Sequence, residues 1–174
     1  MVTAAEVRAA RRIAVVGCSG SGKSTLSREL GPRLGLPVVH FDALHWAPGW
    51  VERDAVETRR RIEDAVATER WITDGNYGAY SGTRLARADL VIWLDYPRHV
   101  CMTRVLKRVW TTHGTVRPDM GEGCPERFDA EFLRWVWNWP AHNRPGQLDR
   151  IQDCEAPVLW FRHPRATERW LATL

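Results

Sequence analysis

The sequence predicts a three-layer α/β/α sandwich around a five-stranded parallel sheet. Five short runs, Arg12–Val16, Pro37–Phe41, Trp71–Thr73, Leu90–Leu94 and Pro157–Phe161, are apolar at nearly every position. Strands buried on both faces read this way, whereas half-exposed strands alternate. Helix-compatible segments separate the runs, which is the order of parallel β-α units. The first run also leads directly into a glycine-rich turn and a helix-compatible stretch, Ser24–Leu30.

Taken in order, the opening residues read as a short frayed lead-in to the first strand. The first helix is expected to break at Gly31-Pro32, because proline lacks the backbone donor and clashes with the preceding turn. The segment from Asp54 to Thr68 starts with a D-x-x-E capping signature (Asp54, Glu57) and puts Ile62, Ala65 and Val66 on one face. Pro97 can open a helix running to about Thr111. A further helix over Phe128–Trp139 should stop at Pro140, another should cover roughly Gln147–Cys154, and the last Arg165–Leu174. There is no repeat or low-complexity tract, and 174 residues suit one domain spanning 1–174.

Composition narrows the class. Hydrophobic residues make up 44% and charged residues 26%, as in an ordinary globular protein. No stretch approaches the roughly 20 apolar residues of a membrane span, and the N-terminal residues lack a signal-peptide core. The expectation is a cytoplasmic protein with no membrane partner. Cys18, Cys101, Cys124 and Cys154 are scattered, which argues for reduced thiols rather than a zinc site or disulfides. The net charge of +4 favours anionic partners without choosing among them.

The turn after the first run reads GCSGSGKST and fits the phosphate-binding pattern G-x-x-x-x-G-K-[S/T] through Gly17, Gly22, Lys23 and Ser24. Glycines let such a loop fold into a nest of N–H groups, and the following helix adds its positive end. Ser19, Gly20, Ser21 and Thr25 complete the expected nucleotide-binding set. Lys23 can reach the β- and γ-phosphates, and the Ser24 hydroxyl can ligate Mg²⁺. The chain has two lysines, Lys23 and Lys107, against 23 arginines, so a lysine at this position is a rare choice. The pattern predicts the P-loop NTPase fold.

Ligands of open parallel sheets bind outside the carboxyl ends of the strands. Asp42, Asp74 and Asp95 follow the second, third and fourth runs. Asp42 is expected to orient an acceptor hydroxyl or hold Mg²⁺ through water, and Asp74 to be the magnesium-side carboxylate. Asp95 is expected to cap the helix after Pro97. None of the three is followed by glutamate, the residue many hydrolytic P-loop ATPases use to activate water, and there is no N-K-x-D guanine-reading motif. The first absence leans towards transfer to an acceptor other than water, and the second counts against a GTPase.

Between Tyr96 and Pro118 the charged residues are all basic: Arg98, Arg104, Lys107, Arg108 and Arg117. Arg104 and Arg108 share a helix face and should repel unless an anion bridges them. A transferring phosphoryl group is such an anion, which makes these two the expected catalytic arginines beside Lys23 and Asp42. The Gly- and Pro-rich stretch at about 112–127 suits a short lid.

Together these strings resemble the adenylate-kinase-like P-loop kinases, and within them the bacterial topology modulation protein (FlaR-type) group. The resemblance rests on GCSGSGKST, HFDALHWAPGW, WITDGNY, LDYPR, RPDMGEGCPERFD and FLRWVWNW…NRP, and covers roughly residues 12–165. It implies a nucleoside- or nucleotide-kinase-like fold and an acceptor-binding segment at about 42–68. Asp42 and Trp46 would line the acceptor pocket, Asn76, Tyr77 and Arg84 would lie near the acceptor's phosphate, and Arg165 would flank the adenine. The third strand ends in DGNY rather than the DGFPR of adenylate kinases, so their usual acceptor-gripping arginine is missing and Arg84 is the substitute.

The expected function is therefore a small kinase using ATP and Mg²⁺ on a nucleoside, nucleotide or other small acceptor. A regulatory ATP-binding protein acting on DNA is the alternative, although no helix-turn-helix or zinc-finger pattern is present. A slow ATPase working as a switch ranks last. Trp135, Trp137 and Trp139 cannot share one helical face, so one or two should be exposed or contact another subunit, leaving monomer or homodimer open.

Overall fold

A computed structural model describes residues 2–78 and 81–174. The sheet is formed by β1 (Arg12–Gly17), β2 (Val38–His40), β5 (Trp71–Asp74), β6 (Leu90–Leu94) and β7 (Val158–Phe161). All of its pairs are parallel, in the order β2-β5-β1-β6-β7. The phosphate-loop strand β1 is thus central, with the Asp74 strand on one side and the Asp95 strand on the other.

The apolar runs are continuous because both faces are covered. In β1, Ile13 and Val15 pack on one side while Ala14 and Val16 pack on the other. In β6, Leu90, Ile92 and Leu94 take the first side, and Val91 and Trp93 the second. This is the period-2 alternation of a strand, with an apolar partner waiting on each face. The first core is closed by α1 (Ala4–Ala9), α2 (Lys23–Leu34), α6 (Arg98–Thr112) and α7 (Ala130–His142). The second is closed by α3 (Phe41–His45), α4 (Ala55–Ala67), α5 (Ser81–Arg87) and α8 (Arg144–Gln152). The final helix, α9 (Pro164–Leu171), packs beside β7 at the edge.

Several expectations change. The lead-in is a helix, α1: Thr3 accepts from the Glu6 backbone N–H and the Glu6 carboxylate accepts from the Thr3 N–H, a full capping box. Its Val7 is fully buried, so packing holds the helix in place. Helix α2 continues through Pro32 and α7 through Pro140. In both, the proline enters within the last three residues, where only one backbone donor is lost before the helix ends anyway. Residues 46–52 form a small hairpin, β3 (Trp46–Ala47) with β4 (Val51–Glu52), too short to be read from periodicity. The helix after Pro97 has no side-chain cap. Asp95 instead receives a two-pronged ion pair from Arg144 at 2.8 Å on each oxygen, plus the Trp160 indole N–H at 3.0 Å. A guanidinium fork offers more than a cap donor would. Of the three α7 tryptophans, Trp139 is buried, while Trp135 and Trp137 are exposed, the latter under the Arg98 guanidinium.

Candidate active site

The turn between β1 and α2 is shaped by three glycines with positive φ: Gly17, Gly20 and Gly22. A Cβ on Gly20 would lie 2.3 Å from the Cys101 carbonyl oxygen, and one on Gly17 would lie 2.4 Å from the Leu94 carbonyl oxygen. The loop is therefore pressed against the start of α6 and the end of β6, and side chains at these positions would lift it off. Asn76, just past β5, pins it from the other side: its oxygen accepts from the Gly17 N–H at 3.1 Å and its amide donates to the Gly17 carbonyl at 2.8 Å. The Asn76 side chain is thus spent on the loop, which corrects its expected place at the acceptor's phosphate. Cys18 is buried against Cys101, and the contact with the Cys101 thiol, then burial, raise its thiol pKa.

Lys23 opens α2, and its ammonium donates to the Cys18 carbonyl at 3.0 Å, curling over the loop. The next residue, Ser24, donates through its hydroxyl to Asp74 Oδ1 at 3.2 Å. Asp74 ends β5 and is 1% exposed. Its other oxygen receives His40 Nδ1 from the end of β2 at 2.6 Å. Strand register makes this contact, because His40 and Asp74 are paired residues in adjacent parallel strands. Burial alone would lower the His40 pKa, but the hydrogen bond and charge of Asp74 outweigh it and the net shift is upward. His40 was not anticipated; its place at a strand end, two residues before Asp42, was the available signal.

Asp42 lies in the first turn of α3 and accepts from the Tyr77 hydroxyl at 2.7 Å. Burial, then the Asp42 charge, push the Tyr77 pKa up, so Tyr77 stays a donor. His45, Trp46, Trp50 and Tyr77 form a continuous aromatic wall with ring centroids 4.8–5.5 Å apart. The α6–α7 connection closes against this wall. Trp50 donates its indole N–H to the Pro125 carbonyl at 2.8 Å, and the Gly49 N–H bonds the Gly123 carbonyl at 2.7 Å. Gly123 sits where a Cβ would be 2.7 Å from Pro48, so the two narrow strings HWAPGW and RPDMGEGCPE meet backbone to backbone.

The arginines of α6 diverge. Arg104 donates to the Ser21 carbonyl at 3.2 Å and has no carboxylate partner among the described residues. Arg108 is paired with the buried Glu126 at 3.1 Å. Glu126 also holds Arg117 at 2.9 Å, and Arg117 in turn holds Asp119. The anion expected between Arg104 and Arg108 is thus, for Arg108, a carboxylate from the connecting segment some eighteen positions on, beyond reach of a helix-periodicity argument.

These groups open onto one cleft of about 1420 Å³ at the carboxyl ends of the strands. Ser19 to Thr25, Asp42, Trp46, Tyr77, Arg104 and Arg108 all line it, as does Asn76. Asp74 lies behind Ser24. Arg84 does not reach the cleft: it is fully buried, donates to the Gly75 and Asn76 carbonyls, and stacks over Phe41. Its expected contact with an acceptor phosphate is replaced by a hold on the loop after β5. Arg165 also lies outside the cleft, on the exposed side of α9; its neighbour Pro164 lines the cleft instead. Among the described residues no group of three or more His, Cys, Asp or Glu side chains is placed to hold a metal ion. Ser24 and Asp74 offer two oxygens, which suits an ion that brings most of its ligands with it.

No protein-family model matches the chain, and no curated protein matches it in sequence. Solved structures do. The shikimate kinase from Acinetobacter baumannii in complex with shikimate matches with a TM-score of 0.58 at 17% identity, covering 94% of this chain and 89% of that one. A sugar kinase from Janibacter sp. matches with a TM-score of 0.51 at 23% identity, covering 93% and 92%. A gluconokinase from Sinorhizobium meliloti matches with a TM-score of 0.52 at 18% identity, covering 93% and 89%. The chain therefore has the P-loop kinase fold.

Proposed function

We propose that the chain is an ATP-dependent kinase that transfers the γ-phosphoryl group of Mg·ATP to a hydroxyl of a small acceptor. The observation that carries this reading is the convergence, on one cleft, of a glycine-built nest of N–H groups, a part-buried Ser24–Asp74 pair and a separate Asp42–Tyr77 pair. The first two suit Mg·ATP and the third suits an acceptor. Similarity in fold to shikimate, sugar and gluconate kinases supports it. The narrow strings also place the chain, in our reading, nearest the topology modulation group. The segment at 42–68 is read as the acceptor side and that at 112–127 as the lid.

In this reading the loop N–H groups and Lys23 hold the phosphates, and Ser24 and Asp74 hold the magnesium ion. Magnesium supplies charge neutralisation on the β- and γ-oxygens when bound. Tyr77 occupies Asp42 Oδ1 and leaves Oδ2 to accept the acceptor's hydroxyl. The hydroxyl oxygen bonds to the γ-phosphorus, the bond from that phosphorus to the bridging oxygen breaks, and the hydroxyl proton passes to Asp42. Arg104, which has no carboxylate partner among the described residues, stabilises charge on the transferring oxygens, while Arg108, neutralised by Glu126, holds the connecting segment against the cleft. The aromatic wall and the segment packed on it keep water out.

The test is ADP release from Mg·ATP with and without a panel of hydroxyl compounds, read together with product mass. One acceptor should stimulate release and gain one phosphoryl group; steady hydrolysis that no acceptor raises would overturn the reading. Two variants sharpen it. Asp42→Asn should cut kcat by about 10²-fold or more with little change in ATP affinity, since it removes the proton acceptor. Glu126→Gln should lower the melting temperature of the free protein by leaving Arg108 without its carboxylate and Arg117 with Asp119 alone, a loss of about 2 kcal/mol. Saturating Mg·ATP should then restore more stability to this variant than to the wild type, as measured by thermal shift.

A further inference from the structure

We propose that the acceptor end of the cleft contains an anion subsite, formed by Arg150 and Gln147 of α8 against the loop after β5. The acceptor is then a small hydroxyl compound carrying a carboxylate or a phosphate. The acceptor's identity rests on the kinase reading above; the subsite stands on its own geometry.

Gln147 is 2% exposed, lines the cleft, and its amide nitrogen has no hydrogen-bond partner among the described residues. A buried amide donor left unpaired costs about 1–3 kcal/mol, so one kept in the wall of a cleft calls for a partner that the cleft can supply. Arg150 stands one helical turn further along, so the two share a face of α8. Arg150 also lines the cleft. Its guanidinium lies over Gly78 so closely that a Cβ there would sit 2.7 Å from its nitrogen. Gly78 follows Tyr77, the donor to Asp42. Asp42, Tyr77, Gly78, Arg150 and Gln147 thus form one continuous surface, with the hydroxyl-directing carboxylate at one end and the donors at the other.

The charge there is unbalanced. Arg84 lies beneath the same loop, fully buried, with its guanidinium on two carbonyls and its Nε without a partner among the described residues. Neither Arg84 nor Arg150 has an ion-pair partner among the described residues. Burial, with the neighbouring Arg150 charge adding to it and Asp74 opposing, pulls the Arg84 pKa down to about 10. Two guanidinium groups near one another, over an unpaired amide donor, form a field that an anion would neutralise. A planar guanidinium beside an amide matches the two oxygens of a carboxylate or phosphate.

The test uses three compounds on one six-carbon frame: D-gluconate, sorbitol 6-phosphate and sorbitol. Each is titrated calorimetrically into the full chain at constant ionic strength, without nucleotide and again with Mg·ADP. At least one anion should bind tenfold or more tightly than sorbitol, and which one binds identifies the head group. Arg150→Ala and Gln147→Leu should each weaken that binding by about tenfold or more, while Mg·ADP affinity stays at the wild-type value and Arg150→Lys recovers part of the loss. Arg150 is exposed, so its variants test the subsite even if the Gln147 variant folds poorly. Equal binding of all three compounds, no binding of either anion, or anion binding unmoved by Arg150→Ala overturns the subsite. Failure of Mg·ADP to bind, with the anion still held, overturns the kinase reading and leaves the subsite standing.

Discussion

Replacing Lys23 with alanine is expected to reduce phosphoryl transfer by about 10³-fold or more, a loss of roughly 4 kcal/mol of transition-state stabilisation. The ammonium now donates to the Cys18 carbonyl, so it is held over the nest that the loop N–H groups form. Once phosphates fill that nest, its charge is within reach of the β- and γ-oxygens, where negative charge grows during transfer. Alanine is the best helix former and Lys23 is the first residue of α2, so the fold should persist. The expected result is a melting temperature close to wild type, weak Mg·ATP binding and a near-background rate. Wild-type turnover in this variant would overturn the placement of ATP in the loop.

The glycine-built turn after β1 was legible in the sequence because its constraint is local. Gly17, Gly20 and Gly22 are required by the loop's own backbone and by its contact with the Leu94 and Cys101 carbonyls. The sheet was legible for a similar reason: strands covered on both faces leave unbroken apolar runs, and all five runs became strands. Helix ends were less so. Thr3 and Glu6 carry a capping box in plain view, yet a helix of six residues has too little periodicity to be recognised without the core that Val7 enters.

Side-chain partnerships across the chain were not legible. Asp95 looked like a cap from its neighbours, and Arg144, forty-nine positions away, takes it instead. Arg108 looked like half of a basic pair, and Glu126 neutralises it. Arg84 has the right type for an acceptor contact, but its position on α5 turns it under the loop and into the core. In each case the residue type was informative about chemistry and silent about partner, because the partner is chosen by packing between distant elements. His40 shows the converse: its strand-end place was visible, but its partner follows from parallel register with Asp74, which no local pattern encodes.

That register leads to the second large effect. Asp74→Asn should lower turnover by about 10²–10³-fold, comparable to losing one preorganised electrostatic contact, and raise the magnesium concentration needed for half-maximal rate. Asparagine keeps the shape of the side chain and can still bond Ser24 and His40, so the change removes charge rather than structure. The His40 imidazole supplies an independent readout in metal-free buffer. Its folded-state pKa is raised, so its contribution to stability is full below the ordinary histidine value of about 6.5 and fades as pH rises through the folded value. The hydrogen bond and charge of Asp74 are the causes that raise it, so the variant should lose this pH-dependent stability and be destabilised most on the acid side. A stability profile with the same slope in both proteins between pH 5 and pH 8 would show that His40 and Asp74 are not coupled. If turnover fell while the magnesium requirement stayed fixed, Asp74 would be acting on the loop through Ser24 and not on the ion.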